Sequence, residues 1–138
     1  MKRTAGILLM AAVLALSLAY VSQANADPDP LVGGWESIDI DGSSQDLKVG
    51  RGPGATYRMV LTDDGATICG LDPVTGDILY AAQARGFGTL SGSVISGSWD
   101  VFCFQTPHTY VGTFAFTFTY DAVANTLTDN LGVVWTRH

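Results

Sequence analysis

The sequence has few of the residues on which enzyme chemistry usually depends. Histidine occurs only as His108 and His138, and neither stands beside a candidate nucleophile in a recognisable motif. Glu36 is the only glutamate, and the spacing suggests no carboxylate partner for a glycosidase-like pair. The glycine-rich segment 86–92 lacks the spacing of a dinucleotide-binding loop. We therefore expect no catalytic residue and no cofactor, and we rank an enzyme last among the functional hypotheses.

Metal-ligand patterns are also lacking. Cys69 and Cys103 are the only cysteines, and neither has a second Cys or a His at ligand spacing. A calcium loop built on the Asp-Ile-Asp-Gly segment at 39–42 needs a glutamate at its twelfth position, where Lys48 stands. We expect no metal site, and both this segment and 63–65 are interpreted as hairpin turns.

Basic residues are scarce after the first three positions. All thirteen acidic side chains follow residue 26, together with only five of the seven Lys and Arg, which gives residues 27–138 a formal net charge of −8. Nucleic acids and anionic membranes bind a basic protein face. We therefore expect neither as a partner once the signal peptide is removed, and we expect a monomer.

The start of the sequence has the pattern of an export signal. Lys2 and Arg3 precede an uncharged apolar run over 5–21, and an Ala-Asn-Ala pattern ends at Ala26, where we predict cleavage. A retained membrane anchor is the alternative, but the helix-breaking Asp-Pro-Asp-Pro at 27–30 follows at once. We expect a secreted protein, periplasmic or extracellular. Its three parts are a signal peptide (1–26), an extended N-terminal segment (27–32) and a single β-barrel domain (33–138).

An exported chain enters an oxidising compartment, where paired cysteines tend to join. We therefore predict a disulfide between Cys69 and Cys103, which stabilises the fold by about 3–4 kcal/mol on the chain-entropy model. Two buried free thiols are the alternative.

The clearest periodicity lies in residues 110–120. Aromatic residues and one glycine occupy the even positions, and Val, Thr and Ala occupy the odd ones. A period of two over eleven residues predicts a strand with one aromatic face.

Similar shorter runs recur along the rest of the chain, and turn residues separate them. No stretch after Pro30 has a helical stripe. The pattern predicts an all-β fold, an antiparallel up-and-down meander closed into a small barrel of about eight strands. The predicted strands are 35–40, 45–49, 56–62, 67–70, 79–87, 89–93, 94–104, 110–120, 126–129 and 131–137, with a turn expected at Ser96-Gly97.

Both ends of this region carry a family resemblance. Gly33-Gly34-Trp35 matches the G-x-W that opens the first barrel strand of lipocalins and their relatives, the calycins. In that group the tryptophan plugs one barrel end and a basic residue from the last strand region lies across it. The resemblance implies these roles for Trp35 and for Arg137, in Trp135-Thr136-Arg137, through a cation–π contact. The chain is shorter than a typical lipocalin and lacks the C-terminal helix, so it is closer in size to the avidin-like and small protease-inhibitor members.

Two functional hypotheses follow. The first is a secreted binding module that holds a small apolar or amphipathic ligand in or at the mouth of the barrel, where tyrosine hydroxyls orient it. A core filled by the same rings, in a purely structural domain, is equally compatible with the sequence. The candidate ligand-binding residues are Tyr57, Trp99, Tyr110, Phe114, Phe116 and Phe118.

The second hypothesis is a protein-binding module, such as an inhibitor of a secreted protease. Small bacterial metalloprotease inhibitors of this superfamily insert an extended N-terminal segment into the protease cleft. Residues 27–31 resemble such a segment, although they equally suit a spacer after the cleavage site.

Overall fold

The computed structural model describes residues 29–105 and 107–138, which form an all-β closed barrel. The predicted signal peptide lies outside the described residues. Eight strands pair antiparallel in chain order and the last pairs with the first, which confirms the predicted meander. No helix in the described part of the chain is long and apolar enough to span a membrane. The strands are β1 (Gly33–Ile38), β2 (Ser44–Arg51), β3 (Thr56–Asp63), β4 (Ala82–Ser91), β5 (Val94–Cys103), β6 (Thr109–Asp121), β7 (Thr126–Asp129) and β8 (Val134–Arg137).

Strand alternation places every second side chain inside the barrel. One row of inward side chains crosses four strands: Trp35 in β1 pairs with Leu47, Leu47 pairs with Leu61, and Leu61 pairs with Ala84 in β4. Each of these side chains is buried, whereas outward neighbours such as Lys48 are exposed. The interior is therefore apolar because the period of the sequence matches the period of the strand.

Several strand boundaries differ from the sequence prediction; for example, β8 begins at Val134 rather than at residue 131. Segment 67–70 is not a strand: Thr67–Cys69 is a 3-10 helix, in which the Cys69 amide bonds to the Ala66 carbonyl. Segments 79–87 and 89–93 are not separate strands, because β4 runs from Ala82 to Ser91 without a break. The turn after it is at Gly92, where φ is 60°, and Ser96-Gly97 lies within β5 instead. Gly97 is therefore a strand residue and not the turn residue that the sequence predicts.

Strand β6 carries one irregularity that decides where its rings point. Val101 pairs with Gly112 and Phe102 pairs with Tyr110, so Val111 is an extra, unpaired residue. The bulge reverses the alternation before Gly112. Tyr110 therefore lies on the outer face, 53 % exposed, with its ring against Phe102. The alternation predicted over 110–120 holds only from Gly112 onward.

One end of the barrel is closed by Trp35 and Arg137. The Arg137 guanidinium lies 4.4 Å from the centroid of the fully buried Trp35 ring. It also donates hydrogen bonds to the carbonyls of Val32, at 3.0 Å, and of Pro30. The Trp35 indole donates to the Leu31 carbonyl at 3.1 Å. The first strand, the last strand and the residues before β1 are thus joined at a single point.

The described part of the N-terminal segment is folded onto this closed end. The Val32 amide bonds to the Asp29 carbonyl, and Leu31 is 2 % exposed. The Asp29 carboxylate accepts from the Tyr57 hydroxyl at 2.8 Å and pairs with Arg51 at 2.6 Å. Burial, and then the hydrogen bond to Asp29, raise the pKa of the Tyr57 phenol. Residues 30–32 thus form a turn that packs against the barrel, with Pro30 exposed and Leu31 buried.

The predicted disulfide is confirmed and lies at the opposite end. Cys69 and Cys103 are bonded, with 5.6 Å between their Cα atoms, and they pack with Ala66 and Ala82 in a small second core. The bond fastens the long β3–β4 connection to the end of β5.

Replacing Arg137 with Met keeps most of the side-chain length but removes the charge and the donors. We expect the free energy of unfolding to fall by about 2–4 kcal/mol, because the cation–π contact and two hydrogen bonds from a charged group are lost. Urea unfolding measures the change. Arg85→Met is the matched control, since Arg85 is exposed and bonds only to Gln83, and a change within about 0.5 kcal/mol is expected there. Equal losses in the two variants would contradict the assigned role of Arg137.

Removing the disulfide with the paired substitutions Cys69→Ala and Cys103→Ala should cost about 3–4 kcal/mol of unfolding free energy, because the bond spans 34 residues and restricts the unfolded chain. Chemical unfolding of the oxidised protein and of the double variant measures this. Coincident unfolding curves would contradict the prediction.

Candidate functional site

The open end of the barrel contains a cavity. The β1–β2, β3–β4 and β7–β8 connections contribute to it, and its volume is about 300 Å³, at the lower end of the range for small-molecule sites. Its lining combines apolar side chains with carboxylate and amide groups. The apolar side chains are Leu61, Ala66, Ile68, Ala82, Ala84, Trp99, Val101, Phe114, Ala115, Phe118, Leu131 and Trp135, and the polar ones are Asp39, Gln45, Asp63, Asp129 and Asn130.

Stacked aromatic rings separate this cavity from the filled half of the barrel. Trp99 lies on Phe116 with 4.5 Å between ring centroids, and it meets the edge of Phe118 at 5.9 Å. Phe118 also contacts Trp135 edge-on at 5.8 Å. Phe116 packs beneath Trp99 at the level of Gly97 and does not line the cavity. The barrel therefore has both a packed core and a hollow end, whereas the sequence left this choice open.

Two glycines bring β4 and β5 close together beside the rings. A Cβ atom on Gly86 would overlap the Ser98 carbonyl oxygen, and one on Gly97 would overlap the Phe87 carbonyl oxygen. Only glycine fits at such a close approach of two strands. These residues therefore fix the strand geometry that places Trp99 over Phe116.

A chain of polar side chains enters the barrel from the mouth. The Ser37 hydroxyl donates to the Gln45 amide oxygen at 3.1 Å, and the Gln45 amide nitrogen donates to Asp63 Oδ2 at 3.1 Å. Asp63 Oδ1 accepts from the Gly65 backbone amide at 3.0 Å. Asp63 is 6 % exposed, so a carboxylate that lines the cavity is held almost entirely out of water by neutral donors.

Asp129 and Asp39 supply two further carboxylates. Asp129 accepts the Trp135 indole N–H at 3.2 Å and two backbone amides. Asp39 accepts one backbone amide, from Ile40, at 2.7 Å. Burial raises the pKa of Asp39 above its ordinary value of 3.8; the Ile40 hydrogen bond opposes this rise, and the negative charges of Asp41, Asp63 and Asp129 add to it. The carboxyl groups of Asp63 and Asp129 therefore lie near enough to Asp39 at the mouth of the barrel to disfavour its ionised form.

Three of the six ligand residues predicted from the sequence line the cavity: Trp99, Phe114 and Phe118. Phe116 supports them from below. Tyr57 is at the closed end, where Asp29 occupies its hydroxyl, and Tyr110 is on the outer face, where its hydroxyl is 2.8 Å from that of Thr113. The two tyrosines are thus not placed to orient a ligand in the cavity.

The polar residues of the site are not among the ligand-binding residues predicted from the sequence. Asp63 was assigned to a turn, but it ends β3 and continues the inward alternation of Tyr57, Met59 and Leu61. Asp129 likewise follows inward Leu127 by two residues in β7. Extending the alternation of each strand to its last residue identifies both carboxylates as inward-facing.

A larger hollow of about 690 Å³ lies outside the barrel, against β1, β2 and β8. Its lining is mainly the outward polar face of these strands, including Glu36 and Asp46, and solvated groups there bind a ligand only weakly. We assign the site to the smaller interior cavity because it combines buried apolar surface with converging polar atoms.

The described residues contain no group of three or more His, Cys, Asp or Glu side chains arranged to hold a metal ion. Comparison of the chain with models of protein families, with curated proteins and with solved structures found no match.

Asp39→Asn tests the electrostatics of the mouth. Since the folded state keeps the Asp39 proton to a higher pH than the unfolded chain does, ionisation of Asp39 destabilises the fold as the pH rises above 3.8 and through the raised pKa. We expect the wild type to lose stability relative to Asp39→Asn over this window and not below it. Urea midpoints of both proteins, measured from acidic to neutral pH, give the difference. A difference that does not vary with pH would contradict the raised pKa.

Proposed function

We propose that the protein is an exported binding module that holds a small amphipathic ligand in the mouth of the barrel. The observation that carries the proposal is the cavity of about 300 Å³, in which rings of Trp99, Phe118 and Trp135 face the same space as Asp39 and Asp63. Apolar surface supplies affinity there and a few polar groups fix orientation.

Access to the cavity also supports this function. Ile68 and Leu131 line the cavity and are 52 % and 64 % exposed. They extend its apolar wall to the surface, so a ligand can enter without unfolding the barrel. The close approach of β4 and β5 and the disulfide at the end of β5 hold this part of the wall in place, which reduces the entropy lost on binding.

Export is supported by the Cys69–Cys103 disulfide, because such bonds persist in oxidising compartments. A calycin-like relationship is supported by the contact of Arg137 with Trp35 at the closed end. The protease-inhibitor hypothesis loses its main support, because Leu31 is buried and Asp29 is bonded within the barrel.

Tryptophan fluorescence tests the proposal. Trp99 and Trp135 line the cavity and Trp35 does not. Titrating the purified protein with uncharged aryl and alkyl alcohols of increasing size should give a saturable change in emission for those that fit, because a ligand in the cavity changes the surroundings of the two indoles.

The matched variants are Ala84→Leu and Ala122→Leu. Ala84 is buried in the cavity wall, whereas Ala122 is exposed in the β6–β7 loop. Leucine at 84 fills part of the empty space, so affinity should fall by at least about tenfold with the fold retained; leucine at 122 should leave it unchanged. The absence of saturable binding by any alcohol, or equal effects of the two variants, would refute the proposal.

A further inference from the structure

We propose that the ligand of this cavity is an organic cation, a compound with an apolar body and one protonated amine or similar group. The inference rests on the proposed function and deepens it by assigning the charge of the ligand. Its main basis is the buried carboxylate of Asp63, whose charge is balanced by no basic side chain in the described residues.

The carboxylates at the two ends of the barrel differ in whether a basic side chain pairs with them. At the closed end, Asp29 has a side chain that is 9 % exposed, and it pairs with Arg51 at 2.6 Å. At the open end, Asp63 is a buried residue and has no basic partner in the described part of the chain; its carboxylate bonds to the Gln45 amide and the Gly65 backbone amide. A buried charge is costly unless it is paired. The charge of Asp29 at the closed end is therefore balanced by Arg51, whereas the charge of Asp63 beside the cavity is not balanced by a basic side chain of the described residues.

Acceptor capacity remains at the cavity wall. An ionised carboxylate has about four acceptor positions, and Asp63 uses two of them on protein donors while Asp39 uses one. Both side chains line the cavity. A ligand that brings several N–H donors and a positive charge satisfies these positions with strong hydrogen bonds.

The arrangement of the acids favours an organic cation over a metal ion. Asp39, Asp63 and Asp129 all line the cavity, yet they are not arranged as a metal-binding group within the described residues. Trp99 and Trp135 line the same cavity, where the Trp135 indole N–H donates to Asp129. Carboxylates set among aromatic and aliphatic side chains suit an ammonium group attached to an apolar body.

The occupant can be tested with three probes that share one apolar body: 2-phenylethylamine, 2-phenylethanol and 3-phenylpropanoate. We expect the amine to bind at least about tenfold more tightly than the alcohol, and the carboxylate to bind most weakly. Calorimetric titration at neutral pH gives the three affinities, and competition between amine and alcohol shows that they share one site.

Asp→Asn variants distinguish the contribution of charge to affinity from the contribution of the shape of the site. Asp63→Asn and Asp39→Asn should each reduce amine affinity by about tenfold and leave alcohol affinity unchanged. Asp64→Asn and Asp77→Asn are the controls, because both side chains are exposed and neither lines the cavity; both variants should leave both affinities unchanged. Asp39→Asn retains the acceptor for the Ile40 amide, so the test remains available if Asp63→Asn does not fold.

Three outcomes would overturn the inference. Equal affinities for amine and alcohol leave the binding function intact but remove the charge assignment. Saturable calcium binding that both Asp39→Asn and Asp63→Asn abolish indicates a metal site instead. Binding of none of the three probes removes the charge assignment, and the alcohol series then shows whether the binding function fails as well.

Discussion

Closure of the sheet between β1 and β8 is the constraint on which the interior of this protein depends. The two strands share only the pairs Trp35 with Arg137 and Glu36 with Thr136, and so short a ladder is weak alone. Arg137 reinforces it by stacking on Trp35 and by binding two carbonyls before β1. Opening this seam would create two free strand edges and expose the inward side chains to water.

The closed end and the open end of the barrel differ in packing and in charge. The closed end is well packed, and its buried carboxylate is paired with a basic side chain. The open end has a polar chain from Ser37 to Asp63, a hollow and a floor of aromatic rings. An unbalanced buried charge and an unfilled cavity both reduce stability. The fold retains them together at one place, which is typical of a site that binds a ligand.

Alternation in the sequence predicted the fold and the inward direction of Phe114, Phe116 and Phe118, because a strand has only two faces. It did not predict the height of a side chain along the barrel axis. Tyr57 faces inward, as its strand pattern requires, yet it lies at the closed end because β3 begins there. The acids at the strand ends were not predicted for a related reason. Asp63 precedes an Asp-Gly pair that is typical of a turn, yet its side chain continues the inward face of β3.

The bulge at Val111 determines how much of the barrel is empty. Had β6 continued in strict alternation below Gly112, the ring of Tyr110 would have pointed inward at the mouth, beside Val101 and Phe114. A phenol ring there would occupy much of a space of about 300 Å³. One unpaired residue in β6 therefore keeps a phenol ring out of the interior and leaves the cavity open, with no change in the order of the eight strands.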